Sequence, residues 1–279
     1  MRGNYFGVLG EKFKLAYSRL GSGEILTGIP GSPADHHSVP FAMTEEFAAC
    51  NRLHSLMPDQ CSLPSPSDDV TLLAGVFANK VRNIYTRCRL ADAAYSFGTS
   101  HPGALVLHNY PETLRRLDKR QGDGIFIDLA TVDILRDRER GIPRHCAFRR
   151  HLGMKVPKSF AELTDDQEWR KDLASVYAKV EDVDLLIGTL AESWSREGTP
   201  PGFGFSDTVL RIFIQMASRR LKSDRFFTED FRPDVYTPAG FRWVQENSLG
   251  PIIERQLPEL ADSIHSERNV FFPWKRAGR

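Results

Sequence analysis

Apolar residues in this 279-residue chain recur mainly at three- and four-residue steps, a spacing that predicts helices rather than strands. Capping and breaking residues mark several ends, such as Thr44 before the first strong run and Pro58 after it. No set of alternating strand patterns competes with these helices, so the sequence predicts an all-α fold. The predicted helices cover residues 44–57, 70–94, 128–140, 165–178, 182–192, 206–221 and 238–246.

The first predicted helix carries a histidine that is a candidate ligand. Thr44 can cap this helix, and Glu45 and Glu46 suit the positive end of its dipole. The spacing then puts Asn51 and His54 on one otherwise apolar face, about one turn apart. A histidine on such a face is more often a hydrogen-bonded core residue than a metal ligand, so spacing alone favours the core interpretation.

The helix at residues 128–140 combines an apolar stripe with a dense run of charge. Leu129, Val132 and Leu135 predict the face that packs on the core. The following RDRER run is typical of a solvated face, where alternating charges contribute little to stability. On that interpretation Asp133 is a plain surface carboxylate.

The helix at residues 206–221 is apolar on nearly all sides, so the sequence predicts a central, buried position for it. It is too short, and too interrupted by Arg211, to span a membrane. Arg219 and Arg220 close the helix, where cations complement the negative end of its dipole. This structural role can account for one of the two arginines.

Composition excludes several classes of partner. Lys and Arg number 37 against 36 for Asp and Glu, so no overall field favours a nucleic acid or an anionic membrane. The four cysteines form neither a CxxC pair nor a metal-finger spacing, which favours a reduced compartment. The first fifteen residues lack the apolar core of a signal peptide, and no later run is long enough for a membrane span. We therefore expect a cytoplasmic or peripherally membrane-associated protein.

The pattern TEEF, then six residues, then HSLMPD resembles the haem helix of the animal-type haem peroxidase and cyclooxygenase superfamily, in particular that of fatty-acid α-dioxygenases. The resemblance implies haem b as a cofactor and His54 as the axial ligand of its iron. In that family a tyrosine three residues earlier forms the radical that takes a hydrogen atom from the fatty acid. Asn51 stands at this position, and an asparagine amide has no accessible one-electron oxidation.

Two further motifs carry the same resemblance. The segment DLATVDILRDRERGIPRHCAFRR, at residues 128–150, resembles a family motif that supplies an acceptor for the second ring N–H of the axial histidine and an arginine for a haem propionate, which implies Asp133 and Arg136. His145 and Cys146 stand where the family usually has tyrosine and asparagine, and a structural role and a compensating role both stay open. The SRRL motif implies that Arg220 binds the carboxylate of the fatty acid.

The resemblance covers nearly the whole chain but not the family's N-terminal half, which carries the distal histidine, part of the substrate channel and a calcium loop. It implies that residues 1–279 form a single domain, the C-terminal part of a haem peroxidase-like or dioxygenase-like domain, with no calcium site in this part. Apolar surface would then be exposed. We therefore expect poor solubility, a missing N-terminal segment or a partner chain.

Two functions are consistent with these residues. One is a haem-dependent oxidoreductase, similar to α-dioxygenases or peroxidases, that oxidises a fatty acid or a peroxide-linked substrate. The alternative is a catalytically inactive remnant, or a helical protein that binds haem or a fatty acid without turnover, because the radical tyrosine and the distal half-site are missing. The expected partner is a fatty acid or another small carboxylate, and neither a nucleic acid nor a transmembrane segment is expected.

Overall fold

The structure, a computed structural model, describes residues 34, 43–61, 71–72, 88–100, 102–118, 124–192, 204–264, 270–271 and 274–275. Within these ranges the chain is mostly helical, which confirms the predicted all-α class. The strands found there form two short antiparallel pairs: β1 (Gln60–Cys61) with β2 (Thr71–Leu72), and β3 (Leu117–Asp118) with β4 (Phe126–Ile127).

Helices account for most of the described residues. In the described ranges the α-helices are α1 (Glu45–Cys50), α2 (Leu90–Thr99), α3 (Glu112–Arg115), α4 (Leu129–Glu139), α5 (His145–His151), α6 (Phe160–Leu163), α7 (Gln167–Val176), α8 (Leu185–Ala191), α9 (Asp207–Ser223), α10 (Pro233–Glu246) and α11 (Leu249–Gln256). Short 3-10 turns lie at Leu53–Leu56, Val180–Asp182, Arg225–Phe227 and Pro258–Leu260.

Most predicted helices are confirmed, with ends that differ by a few residues. Helices α4, α7, α8 and α9 match the predictions at 128–140, 165–178, 182–192 and 206–221. The prediction at 238–246 corresponds to the second part of α10, which follows a kink at Thr237. The prediction at 70–94 is confirmed at residues 90–94, which belong to α2, and is wrong at Thr71–Leu72, which is strand β2; residues 73–87 lie outside the described residues.

The helix predicted at residues 44–57 is interrupted in the middle. Helix α1 ends at Cys50, and Asn51 caps it with φ −96° and ψ 29°. The Asn51 side-chain amide donates a hydrogen bond to the Phe47 carbonyl at 3.1 Å, because asparagine side chains compete for backbone groups at helix ends. His54 therefore lies on the separate 3-10 turn, and the prediction that Asn51 and His54 share one helix face is wrong.

Helix α4 presents the opposite face from the one predicted. Val132 and Leu135 are 42% and 53% exposed, whereas Asp133 and Asp137 are buried. The two carboxylates face inward because Arg52 pairs with both of them. The predictions of an apolar core face and of a surface position for Asp133 are therefore wrong.

One of the apolar core clusters among the described residues lies where α1, α8 and α9 pack together. Ala49 and Cys50 of α1 contact a cluster that contains Leu185 of α8 together with Val209 and Ile212 of α9. The buried position predicted for residues 206–221 is thus confirmed on the described face of α9. None of the helices in the described ranges combines the length and the apolar character that a membrane crossing requires.

Candidate functional site

The turn that carries His54 is held by the segment at residues 102–110. The backbone N–H of Gly103 donates to the Leu56 carbonyl at 2.9 Å. The side-chain amide of Asn109 donates to the carbonyls of Ser55, at 3.0 Å, and Ala104, at 2.7 Å. A Cβ atom on residue 103 would lie 2.2 Å from the Ser55 carbonyl oxygen, so the close approach of the two segments requires glycine.

His54 is anchored through one nitrogen of its ring. Its Nδ1 lies 2.9 Å from the Tyr110 hydroxyl and 3.3 Å from Oδ2 of Asp133. The ring also meets the Tyr110 ring edge-on, with centroids 5.5 Å apart. The side chain is 31% exposed, and Nε2 has no hydrogen-bond partner within the described part of the chain. The contacts of Nδ1 thus fix the orientation of the ring.

Asp133 is itself held by Arg52, a partly buried arginine that the sequence analysis did not single out. Arg52 Nη1 lies 2.6 Å from Oδ1 of Asp133, and its Nη2 lies 3.4 Å from Asp137. Burial raises the pKa of Asp137, and the charge and hydrogen bond of Arg52 oppose this rise only in part. Burial, and then the charge of Asp133 and the hydrogen bond to it, raise the pKa of Tyr110 well above its ordinary value. Tyr110 therefore keeps its proton at neutral pH.

The two arginines suggested by the motifs lie in different surroundings. Arg136, on the exposed side of α4, has its nearest carboxylate partner in Glu45, at 3.7 Å. The same carboxylate receives a hydrogen bond from Arg140. Arg220 lies near the end of α9 and is partly buried. The structure thus brings Asp133 into contact with His54, whereas Arg136 is engaged with α1.

His145 belongs to a second, buried cluster. Its ring is fully buried, and its Nε2 lies 2.8 Å from a Glu192 carboxylate oxygen. The same carboxylate accepts hydrogen bonds from the Arg149 guanidinium and from both the hydroxyl and the backbone N–H of Thr208. Burial alone raises the pKa of Glu192, but His145, Arg149 and Thr208 outweigh it and lower the pKa to about 2.

His145 and Cys146 both have structural contacts in the interior. His145 contacts Glu192 at the end of α8, and the cluster connects α5 to the start of α9. Cys146 packs in the core, with its thiol 3.5 Å from the Val180 carbonyl, and burial raises its pKa. Sequence reasoning missed Glu192 because a single glutamate at a helix end carries no motif.

Among the described residues, His54 is placed as an axial ligand of haem iron would be. No group of three or more His, Cys, Asp or Glu side chains that could hold a bare metal ion occurs among the described residues. The iron of a haem needs only an axial ligand, because the porphyrin supplies the in-plane nitrogens. Ligating histidines commonly donate their other N–H to a carboxylate, and His54 has that arrangement with Tyr110 and Asp133.

The described residues thus place a buried carboxylate behind a partly exposed histidine in a mostly helical fold. The sequence profile of the animal haem peroxidases matches residues 7–271, and the chain belongs to that family. The resemblance inferred from the motifs is confirmed. Among structures, Peroxidase A from Dictyostelium discoideum shares the fold, with a TM-score of 0.66 over 82% of this chain at 21% identity.

The α-dioxygenases are nearer relatives. Alpha-dioxygenase 1 of Arabidopsis thaliana is 36% identical over 98% of this chain, and Alpha-dioxygenase PIOX of Pisum sativum is 37% identical over the same share. The crystal structure of the Oryza sativa fatty acid alpha-dioxygenase superimposes with a TM-score of 0.80 over 99% of this chain, at 34% identity. The chain spans 45%, 44% and 47% of these three relatives. It therefore has a dioxygenase-like helical fold over about half their length.

Proposed function

We propose that this chain binds haem b through Nε2 of His54 and serves a haem-dependent oxidation of a fatty acid or of a peroxide-linked substrate. The observation that carries the proposal is the fixed ring of His54, with Nδ1 facing Tyr110 and Asp133 and Nε2 without a partner in the described residues. Haem supplies one-electron oxidation chemistry when it is bound. Membership of the animal haem peroxidase family supports the same assignment.

The residues around His54 would set how strongly it donates electrons to iron. A carboxylate near Nδ1 increases the basicity of an axial imidazole, and Asp133 lies at that nitrogen. Arg136, 44% exposed on the outer side of α4, is the proposed partner of a haem propionate, since a guanidinium binds carboxylates in a bidentate manner.

Replacing His54 with alanine is expected to abolish the Soret band of protein reconstituted with haemin, because the axial ligand is lost. Peroxide-dependent oxidation of a dye should disappear with it. The matched control is His151→Ala, which removes an exposed histidine at the end of α5 and should leave both measurements unchanged. Retention of a wild-type Soret band by His54→Ala would exclude His54 as the ligand.

The proposed substrate class is a long-chain fatty acid, with Arg220 as the group that binds its carboxylate. A fatty acid alpha-dioxygenase from Oryza sativa has been solved with palmitic acid, and this chain is 34% identical to that protein. Arg220 lies on α9, which contributes Val209 and Ile212 to an apolar core cluster. An always-charged guanidinium suits a carboxylate.

Replacing Arg220 with alanine is expected to weaken palmitic acid binding by about 10-fold or more, as loss of a charged hydrogen bond does. The measurement is equilibrium binding of palmitic acid to the haem-loaded chain. Arg211→Ala is the control on the same helix, because Arg211 is exposed and pairs with Asp207 at 3.7 Å. Equal affinities of the two variants would remove Arg220 from the site.

A second candidate function is binding of haem or a fatty acid without turnover. Asn51 favours this candidate, because it stands at the position of the radical tyrosine and the reaction that needs that tyrosine cannot proceed. Its side-chain amide donates to the Phe47 carbonyl and has no redox chemistry. Wild-type protein loaded with haem is then expected to consume no oxygen with palmitic acid.

Asn51→Tyr is expected to produce oxygen uptake where the wild type has none, since it introduces an oxidisable phenol three residues before His54. Asn51→Phe is the matched control, because it has the same size and lacks the hydroxyl. Both variants lose the Asn51 cap, so their stabilities should be similar. Oxygen uptake by the wild type at the level of Asn51→Tyr would contradict this candidate.

A further inference from the structure

Three polar atoms behind His54 form a closed triangle. Nδ1 of His54 lies 2.9 Å from the Tyr110 hydroxyl oxygen, which lies 3.2 Å from Oδ2 of Asp133. Oδ2 in turn lies 3.3 Å from Nδ1. The hydroxyl has one proton to donate, so it can point either to the carboxylate or to the ring. The direction it takes decides which ring nitrogen carries a proton.

Asp133 determines that direction. Its side chain is 2% exposed, and Arg52 Nη1 lies 2.6 Å from its Oδ1, so the two form an ion pair in which the carboxylate accepts hydrogen bonds. Oδ2 needs a donor as well, because buried polar atoms are nearly always paired. Among the contacts of the described residues, the donors within reach of Oδ2 are the Tyr110 hydroxyl and a proton on Nδ1.

The consequence for His54 follows from donor and acceptor rules. If the Tyr110 hydroxyl donates to Asp133, both atoms that face Nδ1 are acceptors, and the ring satisfies them by carrying its proton on Nδ1. A neutral imidazole has one N–H, so Nε2 is left with its lone pair, as a metal ligand requires. The opposite arrangement would put the proton on Nε2 and leave Oδ2 without a donor.

We infer that Arg52, Asp133 and Tyr110 form a positioning unit that holds His54 in the tautomer able to bind a metal, before any metal is present. Arg52 orients the Asp133 carboxylate, which accepts the hydrogen bond of the Tyr110 hydroxyl. The hydroxyl oxygen is then left to accept a hydrogen bond from Nδ1 of His54. The unit deepens the proposed function, since it prepares the nitrogen assigned there to iron. The tautomer itself is a property of the protein without haem.

The test is long-range proton–nitrogen correlation NMR of the ¹⁵N-labelled, haem-free chain, at an alkaline pH at which imidazole is neutral. The His54 signals are assigned by their absence from His54→Gln. Wild-type protein should show the proton on Nδ1. In Asp133→Asn, Arg52 retains the amide oxygen, so the amide N–H groups face the triangle as donors and the proton should move to Nε2.

Two further variants separate this unit from general structural effects. In Tyr110→Phe most molecules should keep the proton on Nδ1, and a minority should carry it on Nε2. The reason is that the remaining contact, from Nδ1 to Oδ2 of Asp133 at 3.3 Å, is long for a hydrogen bond. Asp137→Asn makes the same chemical change on the same helix, beside the same arginine, and should match the wild type. Haem affinity should fall about 10- to 100-fold in Asp133→Asn, and less in Tyr110→Phe.

An Nε2–H tautomer in the wild type, or an unchanged tautomer in Asp133→Asn, would overturn the inference. A Tyr110→Phe spectrum identical to the wild type would remove Tyr110 from the unit. These results can be distinguished from a failure of the proposed function. If the tautomers are as expected but the Soret band survives in His54→Ala, the positioning unit stands and iron ligation by His54 is excluded.

Discussion

Replacing Glu192 with alanine is expected to lower the free energy of unfolding by about 3–5 kcal/mol, the usual cost of removing one partner from a buried ion pair. Glu192 accepts hydrogen bonds from His145, Arg149 and Thr208, and its side chain is 9% exposed. Without it the Arg149 guanidinium loses the buried carboxylate that it contacts, and the fully buried ring of His145 loses its hydrogen-bond partner. Urea unfolding followed by circular dichroism measures the change.

The control for this variant is Glu246→Ala, which removes an exposed carboxylate at the end of α10. It should stay within about 0.5 kcal/mol of the wild type, as surface substitutions usually do. Similar free energies of unfolding for the two alanine variants would show that the buried carboxylate of Glu192 makes no net contribution to stability.

The effect of Glu192 also has a definite pH dependence. Its pKa in the folded chain is about 2, below the ordinary value of 4.5, so folding favours the ionised form. The stabilisation is complete above pH 4.5 and is lost as the pH falls towards 2, by about 3 kcal/mol in total. The stability difference between wild type and Glu192→Gln should therefore shrink over this interval, and a constant difference would contradict the lowered pKa.

The helices could be predicted from sequence because their local patterns agree with the fold. Thr44 before α1 illustrates this: its side chain accepts a hydrogen bond from the Phe47 backbone N–H, as the sequence predicted. The orientation of α4 could not be predicted this way. The apolar spacing predicts Val132 and Leu135 as core residues. It contains no information about Arg52, which is distant in sequence and pairs with Asp133 and Asp137 on the inner face of the helix.

The site shows the same division between local and distant information. The motif resemblance pointed to Asp133 as an acceptor, and the structure places Asp133 at Nδ1 of His54. The contact between Tyr110 and His54 could not be predicted, because 56 residues separate them and no local pattern encodes that contact. The end of α1 at Cys50 was missed for a different reason: spacing alone continues through Asn51, whereas its side chain satisfies the Phe47 carbonyl and stops the helix.

Replacing Gly103 with alanine is expected to destabilise the chain by about 3 kcal/mol and to disturb the turn that carries His54. The new Cβ would lie 2.2 Å from the Ser55 carbonyl oxygen and 2.8 Å from the Asn109 amide nitrogen. A backbone oxygen cannot rotate away, so the two segments must separate. Overpacking of this kind costs about 1–3 kcal/mol, and each hydrogen bond that breaks between the segments adds about 1 kcal/mol.

The separation should be visible in function as well as in stability, because His54 immediately precedes Ser55 on the displaced turn. Haem affinity should fall roughly tenfold or more in Gly103→Ala, as it does when the support of a ligating histidine is lost. Gly250→Ala is the matched control: its Cβ meets no atom within 4 Å, and alanine in helix α11 should stabilise by up to about 1 kcal/mol. If Gly103→Ala kept the wild-type unfolding temperature and haem affinity, the segment at residues 102–110 would not be what holds His54 in place.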